Sequence, residues 1–322
     1  MGKLTIAMYH YVRDLKYSRY PEIKGLDYKL FKQQIHFFAN NFKIVTMEEV
    51  IEACNSSNKN LPENALLLTF DDGYIDHFTT VFPILTENKI QGSFFITGKT
   101  VSENVLLDVN KIHFILARGD IREIVKDLLE RLDFYRGDFQ EGIILSNEEL
   151  FEKYAIANRF DGKETVFVKN ILQNVLPKDL RKMIASDLFK KYVQLPEDIF
   201  AKELYMSRDQ IRCMKDAGMF IGIHGYDHYW LGKLAEDEIK IDIDKALDIM
   251  SEFLDADSWV MNYPYGSYND AVLNYVEKRG CVCGLTTEVR IAEVGRDNRY
   301  SLPRLDCNDF PPKSDNYLKF ER

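Results

Sequence analysis

The stretch LLLTFDDG, residues 66–73, runs from apolar side chains directly into two adjacent carboxylates, Asp71 and Asp72. The continuous apolar run is typical of a strand that is covered on both faces. Burying neighbouring carboxylates at the end of such a strand costs free energy unless a cation or hydrogen-bond donors compensate. Alone, the segment is explained more simply by an ordinary Asp-Asp-Gly turn than by part of a cation site.

A second apolar run, MFIGI at residues 219–223, leads into two histidines, His224 and His228. A lone histidine at a strand end is more often a structural residue, but two imidazoles four residues apart can lie on one side of a helical turn and share a metal ion. Joined to a carboxylate from another strand end, they make a His₂Asp set with an open position for water. That arrangement is the usual plan of a hydrolytic metal site.

Three further segments bring polar or aromatic groups to predicted strand ends. In WVMNYPYG, residues 259–266, the turn Pro264–Gly266 presents a backbone N–H and the ring of Tyr265, although an ordinary turn explains it too. His10 ends the first strand. Arg304, near the C-terminus, is either a surface residue or a group that orients a catalytic carboxylate, and Trp230 either packs or forms an aromatic wall for a substrate.

Short apolar runs alternate with helical patterns, which predicts an α/β fold with a mostly parallel sheet. A capping box, Ser207-x-x-Gln210, opens a helix predicted over 208–217. Seven strands with intervening helices favour a distorted TIM-like barrel over a flat Rossmann sheet. The predicted strands are Leu4–Tyr9, Lys43–Thr46, Ala65–Thr69, Gly92–Ile96, Met219–Ile223, Trp259–Tyr263 and Val282–Thr286.

The middle of the chain differs from the rest, because residues 101–202 show helical patterns and almost no convincing strand. We therefore predict two parts: a barrel formed by residues 1–100 and 203–322, and a helical insertion formed by residues 101–202. Insertions on such scaffolds commonly cover the mouth of the active site, so we expect the insertion to act as a lid.

The composition narrows the classes of partner. The chain has 322 residues, with 42 Lys and Arg against 51 Asp and Glu, and this acidic balance argues against a nucleic-acid partner. No apolar run approaches the ~18–20 residues of a membrane helix, and no G-x-G-x-x-G follows a strand. The five cysteines are scattered and the N-terminus lacks a secretory pattern, so we expect a cytoplasmic protein without a transmembrane segment.

Taken together, the segments 69–73, 224–228 and 263–266, in this order and at strand ends, resemble the polysaccharide deacetylases of carbohydrate esterase family 4. The resemblance covers roughly 3–100 and 205–306. It implies the NodB-homology fold, a distorted (β/α)₇ barrel, with one divalent metal ion, most often Zn²⁺, although Co²⁺, Ni²⁺ or Mn²⁺ are alternatives. It also implies site roles: metal ligands Asp72, His224 and His228, general base Asp71, and an oxyanion-binding N–H at Tyr265.

The sequence departs from the family pattern at three points. Gly225 stands where Ser or Thr usually follows the first metal histidine, and Asn262 stands where Arg usually precedes the proline. The late Leu-x-His motif that normally supplies the general acid is missing. A branch that resembles the bacterial poly-N-acetylglucosamine deacetylases carries this histidine in an N-terminal Tyr-His segment, and His10 fits that arrangement.

The resemblance implies a hydrolase that removes an N-acetyl group from an amino sugar. Because we expect a cytoplasmic protein, we favour cell-envelope glycan biosynthesis, of O-antigen or capsule type, with a nucleotide-linked, lipid-linked or oligosaccharide substrate. Two alternatives stay open: a deformylase or other amidase on a linked sugar, and a non-catalytic glycan-binding relic. The sequence leaves the oligomeric state open.

Overall fold

The computed structural model of the protein describes residues 2–55, 60–136, 145–255 and 257–320. The chain forms two compact units. We call Met1–Lys16, Gly25–Asn104 and Ala201–Arg322 the barrel unit, and Tyr17–Lys24 with Val105–Phe200 the helical unit. The helical unit thus takes in a short N-terminal segment that sequence analysis had placed in the barrel.

The described strands, in chain order, are β1 (Gly2–Tyr9), β2 (Val12–Arg13), β3 (Leu26–Asp27), β4 (Lys43–Ile44), β5 (Ala65–Asp71), β6 (Ser93–Ile96), β7 (Phe220–Ile223), β8 (Trp259–Asn262), β9 (Cys281–Leu285), β10 (Ala292–Val294) and β11 (Leu305–Asp306). The described α-helices are α1 (Tyr28–Asn41), α2 (Met47–Asn55), α3 (Phe82–Glu87), α4 (Gly98–Ser102), α5 (Asp108–Arg118), α6 (Ile121–Tyr135), α7 (Asn147–Tyr154), α8 (Lys163–Asn170), α9 (Lys178–Tyr192), α10 (Glu197–Leu204), α11 (Arg208–Asp216), α12 (Glu236–Met250) and α13 (Asp270–Lys278).

The main sheet of the barrel unit has the order β10-β1-β5-β6-β7-β8-β9. Neighbouring strands are parallel except that β10 is antiparallel to β1, while β4 pairs with the start of β5. This confirms the predicted α/β fold with a mostly parallel sheet. Because the strands are parallel, the carboxyl ends of β1, β5, β7 and β8 meet at one rim, which is where such folds place their active sites.

A short C-terminal segment lies between the two ends of the curled sheet. Leu302 bridges to Leu285 in β9, and Leu305 pairs with Ala7 in β1. Arg304 stands between these two pairings, so the chain carries it into the barrel rather than onto the surface, and its side chain is fully buried.

Each of the seven predicted strands is present, with ends that differ by one or two residues. The helix predicted over 208–217 ends at Asp216, and its capping box is formed: the Ser207 N–H donates to Gln210 Oε1 over 2.8 Å. The helical unit contains α5 to α9 and the first half of α10, and no strand occurs in its described residues.

Both faces of the sheet are buried, which explains the continuous apolar runs in the sequence. Alternate residues of β5 enter different clusters. Leu66, Leu68 and Phe70 pack with the ring of Phe31 from α1, while Leu67 joins a second cluster inside the curled sheet. Because strand side chains alternate, Asp71 projects to the same interior face as Leu67.

All five cysteines are free thiols, three of them buried, as expected for a chain without a disulfide framework. Among the helices of the described ranges, none is both long and apolar enough to cross a lipid bilayer.

Candidate metal and catalytic site

The three residues predicted as metal ligands meet at the carboxyl-end rim of the sheet. Asp72 follows β5, His224 follows β7, and His228 lies in the loop after it. Asp72 Oδ1 is 3.3 Å from His224 Nε2 and 3.1 Å from His228 Nε2, and all three side chains are buried. One donor atom from each residue therefore faces the same point.

The hydrogen bonds around these residues fit a bound cation. Asp72 Oδ1 is buried and has no hydrogen-bond partner. His224 Nδ1 donates to the backbone carbonyl of Asn262 over 2.7 Å, which leaves the lone pair of Nε2 directed at the site. Donors bound about 2.0–2.2 Å from a tetrahedral ion lie roughly 3.4 Å apart, close to the spacing seen here.

Charge within the site shifts the pKa values of the predicted ligands. Burial raises the pKa of Asp72, but the neighbouring side chains of His224 and His228 outweigh it and hold that pKa well below the usual range. Burial lowers the pKa of His228, whereas at His224 the carboxylates of Asp72 and Asp71 outweigh burial and raise the pKa. A carboxylate that stays ionised and a neutral imidazole are the forms that bind a divalent cation.

Backbone strain is concentrated at this rim. Three non-glycine residues here have left-handed φ angles: Asp72 (78°), His228 (55°) and Tyr265 (58°). Gly73 is also left-handed, and a Cβ there would meet Ile96 Cγ2 at 2.9 Å, so the tight turn after Asp72 requires glycine. Strained conformations of this kind persist where a surrounding structure holds functional groups in place.

The two histidines lie on a loop, so the helical turn considered for His-x-x-x-His is wrong. Residues 224–230 adopt no helix because Gly225 and His228 are both left-handed. The buried carboxylate of Asp242 in α12 accepts the backbone N–H groups of Tyr226 and Asp227 over 2.8 and 3.0 Å. This clamp holds the loop in the form that brings both imidazoles together.

Asp71 sits in a closed network of donors. Arg304 binds it with two nitrogens, each 2.8 Å from a different carboxylate oxygen, and Asn262 Nδ2 donates to Oδ1 over 2.5 Å. Burial raises the pKa of Asp71, but the Arg304 charge and hydrogen bonds lower it below its ordinary value. Asn262 and Arg304 together supply a cation and hydrogen-bond donors to this buried carboxylate.

Arg304 is not the surface residue that the sequence left open as one alternative. Its guanidinium is fully buried and also binds the backbone oxygen of Thr286 and the hydroxyl of Thr69. The alternative role that the sequence suggested, orienting a catalytic carboxylate, matches the contacts with Asp71.

His10 lies at the end of β1 with its Nε2 3.8 Å from Asp71 Oδ2 and its side chain 39% exposed. Its backbone carbonyl accepts a hydrogen bond from Nε2 of the buried His77 over 2.9 Å. Burial lowers the pKa of His77 to about 4, so this ring is neutral and serves as a fixed donor beneath His10.

The aromatic residues of the rim form a stack. The rings of Trp230 and Tyr265 lie 4.5 Å apart and nearly parallel, and the Tyr265 ring meets the His228 ring edge-on at 4.7 Å. Pro264 is buried and supports the turn that carries Tyr265, and the Tyr265 carbonyl accepts from Thr287 Oγ1 over 3.2 Å. Both aromatic rings are partly exposed.

Sequence reasoning missed two side chains that contact the predicted ligands or their loop. The Tyr74 hydroxyl donates to Asp72 Oδ2 over 2.6 Å. Asp242 binds the backbone of residues 224–230, which we call the histidine loop. Tyr74 directly follows Asp-Asp-Gly in the sequence, and this position next to a predicted ligand is the signal by which it could have been found. Asp242 has none, because it lies on the polar pattern of an ordinary amphipathic helix.

A family model described as polysaccharide deacetylase matches residues 58–132 and 154–284, about two thirds of the chain. The chain belongs to the polysaccharide deacetylase family. The matched residues include the ligand set and Asp71, whereas His10 and Arg304 lie outside them, so the roles of these two rest on geometry.

Among curated relatives, the chain is 27% identical over 100 residues to YxkH of Bacillus subtilis, described as a polysaccharide deacetylase. That alignment covers 31% of this chain and 34% of the relative's length. The match therefore spans about a third of YxkH.

Solved structures of deacetylases share the fold over nearly the whole chain. The Streptococcus pyogenes deacetylase PplD is 19% identical with a TM-score of 0.57, covering 98% of this chain and 96% of that one. IcaB from Ammonifex degensii is 18% identical with a TM-score of 0.56, covering 99% and 96%. A de-N-acetylase from Aggregatibacter actinomycetemcomitans is 15% identical with a TM-score of 0.57, covering 98% and 100%. The predicted family and the distorted (β/α)₇ barrel are thus confirmed.

Proposed function

We propose that the protein is a metal-dependent hydrolase that removes an N-acetyl group from an amino sugar. The observation that carries the proposal is the convergence of one carboxylate and two imidazoles on a buried point, with Asp71 beside them. Family membership supports hydrolysis of a sugar amide. Two structural neighbours support it by their descriptions, one bound to acetate and one named a de-N-acetylase.

The proposed cofactor is one divalent ion, Zn²⁺ in the first place, with Co²⁺, Ni²⁺ or Mn²⁺ as alternatives. Asp72, His224 and His228 would hold it through one oxygen and two nitrogens. When bound there, such an ion would polarise the amide carbonyl and lower the pKa of the attacking water towards about 7.

Asp71 is the proposed general base. Its depressed pKa keeps it ionised, and the two-point contact with Arg304 fixes the plane of the carboxylate. A carboxylate has about four lone-pair sites, so the contacts with Arg304 and Asn262 leave capacity for the proton of water. Arg304 and Asn262 act through Asp71 and are positioning residues.

His10 is the proposed general acid, which donates a proton to the departing amine of the sugar. Its ring is close enough to Asp71 to share the same substrate and exposed enough to reach it. The hydrogen bond from His77 to the His10 carbonyl holds the backbone from which the ring projects.

The remaining rim residues are proposed to contact the substrate. The Tyr265 N–H donates to the oxyanion that forms from the carbonyl, and a donor of this kind is typically worth about 3 kcal/mol. The exposed part of Trp230 offers an apolar surface to the sugar, supported from behind by the Tyr265 ring.

As substrate we propose an amino sugar of cell-envelope glycan biosynthesis, of O-antigen or capsule type, linked to a nucleotide, a lipid or an oligosaccharide. Family membership supports the sugar amide. We also propose that the insertion at residues 101–202 is a lid, which suits a defined small glycan better than a long chain. The cytoplasmic location stays a prediction.

The test is elemental analysis of the purified protein, followed by an acetate-release screen over N-acetylated sugar nucleotides, lipid-linked sugars and oligosaccharides with each metal. We expect one ion per chain and release of acetate. Asp72→Ala should lose the metal and all turnover, whereas Asp71→Asn should keep the metal and lose turnover.

Asp244→Asn is the matched control, because it removes a carboxylate charge from the exposed face of α12 and should keep both properties. Release of formate instead of acetate would establish a deformylase. A metal-loaded protein that binds glycans without turnover would be the non-catalytic relic. An active Asp71→Asn enzyme would remove Asp71 from the role of base.

A further inference from the structure

The two oxygens of Asp72 have different surroundings. Oδ1 faces the imidazole nitrogens of His224 and His228 and has no hydrogen-bond partner. Oδ2 accepts the hydroxyl of Tyr74 over 2.6 Å. The residue that donates stands only two positions along the chain, and the left-handed turn through Gly73 brings its ring back beneath the carboxylate.

The Tyr74 ring is held firmly in this position. It is fully buried and stacks on Tyr11 at 4.1 Å, with the Tyr205 ring 6.3 Å away and nearly parallel to it. The backbones of Tyr74 and Tyr205 also form an antiparallel bridge. Since the hydroxyl lies on the axis of ring rotation, even a ring flip leaves it opposite Asp72 Oδ2.

We propose that Tyr74 is a positioning residue that restricts Asp72 to binding the metal through Oδ1 alone. The inference rests on the proposed metal-dependent function. Occupying Oδ2 with a hydrogen bond fixes the carboxylate plane and keeps the second oxygen away from the ion. The protein then supplies three donor atoms, and the remaining positions stay available for water and the amide carbonyl.

Tyr74→Phe tests the proposal, because it removes the hydroxyl and keeps the stacked ring. We expect the affinity for Zn²⁺, measured by competition with a chromophoric chelator, to fall by about 10-fold or more. The visible spectrum of the Co²⁺-loaded variant should change in intensity, because that intensity reports the number of ligands around cobalt.

Tyr275→Phe is the matched control. Its hydroxyl donates to Asp244 over 2.7 Å between α13 and α12, so the variant loses a tyrosine–aspartate hydrogen bond of similar length without touching a predicted ligand. We expect its metal affinity and its cobalt spectrum to equal those of the wild type.

The outcomes separate this inference from the proposed function. If the wild type binds metal and releases acetate while Tyr74→Phe keeps the same affinity and spectrum, the positioning role is overturned and the function stands. A wild type that binds no metal contradicts the function itself. If Tyr74→Phe does not fold, X-ray absorption of the Zn²⁺-loaded wild type decides: one carboxylate oxygen at the ion supports the proposal, and two overturn it.

Discussion

The barrel unit and the helical unit both bury charged side chains, but they compensate them differently. In the helical unit, Lys111 binds Asp108, Glu197 and the hydroxyl of Ser186, and Asp161 binds two lysines. Each of those two buried charges is thus balanced by oppositely charged side chains that are partly exposed. In the barrel unit, the buried cluster of Asp72, His224 and His228 includes two atoms without a hydrogen-bond partner, Asp72 Oδ1 and His228 Nδ1.

The unpartnered atoms show this difference most clearly. In the part of the chain that the structure describes, every buried side-chain nitrogen or oxygen without a hydrogen bond belongs to the barrel unit. These atoms are Asp72 Oδ1, His77 Nδ1, Ser93 Oγ, Thr97 Oγ1, His228 Nδ1, Trp230 Nε1 and Tyr263 Oη. A buried polar atom left unpaired costs free energy, and at Asp72 Oδ1 a cation held with His224 and His228 would supply the missing contact.

The largest effect is expected at Asp71 and Arg304, an ion pair of the barrel unit whose two side chains are both fully buried. Arg304→Met leaves the Asp71 charge buried with Asn262 as its remaining side-chain donor, which should cost roughly 3–5 kcal/mol of unfolding free energy. Urea denaturation of the metal-free protein measures it, and turnover per folded molecule should collapse with the loss of the aligned carboxylate.

The double variant Asp71→Asn with Arg304→Met is the control for the Arg304 prediction. Removing both charges should recover much of the lost stability without recovering turnover, because no buried charge then remains unpaired. If Arg304→Met alone is as stable as the wild type, Arg304 does not compensate the buried charge of Asp71.

For His77 Nδ1, a neutral ring explains the missing hydrogen-bond partner without a ligand. Its pKa is about 4 in the folded chain against about 6.5 when unfolded, so the unfolded state binds the proton first as the pH falls. The stability contribution is present above pH ~6.5 and is lost as the pH falls towards ~4, by about 3 kcal/mol in all.

His77→Gln keeps a donor for the His10 carbonyl and cannot titrate. Urea denaturation of the wild type and the variant at a series of pH values should therefore show a shallower loss of stability for His77→Gln between pH 6.5 and pH 4. Parallel curves for the two proteins would show that His77 titrates normally.

Much of the rim could be predicted from the sequence because its polar residues follow apolar strands directly. Asp71, Asp72 and His224 are each one or two residues beyond a continuous apolar run, and parallel strands bring such positions together. The distance along the chain between them does not matter once the strand order is known.

The remaining features depend on tertiary contacts that no local pattern records. Arg304 reaches Asp71 only because the segment around Leu302 and Leu305 lies between the ends of the sheet. The loop form of the histidine motif depends on Asp242, which stands sixteen residues after Tyr226 on a helix. The segment 17–24 joins the helical unit although it is too short to show any periodicity.

The histidine loop offers a sharper test of strain within the barrel unit. Gly225→Ser restores the residue type usual in the family, but a Cβ there lies 3.0 Å from Asp242 Oδ1 and the φ angle is +68°. The left-handed backbone alone should cost about 1–2 kcal/mol in unfolding free energy. Displacing the Asp242 clamp should in addition weaken metal binding in chelator competition.

Gly218→Ser is the matched control for the histidine loop, since its φ is +87° and no atom lies within 4 Å of the added Cβ. It should lose similar stability and keep full metal affinity. Equal metal affinities for the two serine variants would show that the contact with Asp242 does not determine the conformation of the histidine loop.

The smallest effect is expected in the helical unit, where Lys111→Met removes a buried cation. Its partners Asp108 and Glu197 are 37% and 35% exposed, so water can solvate both carboxylates once the lysine is gone. We expect a loss of about 1 kcal/mol or less by urea denaturation, as for a partly exposed pair, and an unchanged affinity for Zn²⁺. A loss as large as that of Arg304→Met would mean that the helical unit depends on its buried charge as much as the barrel does, and the contrast between the two units would fail.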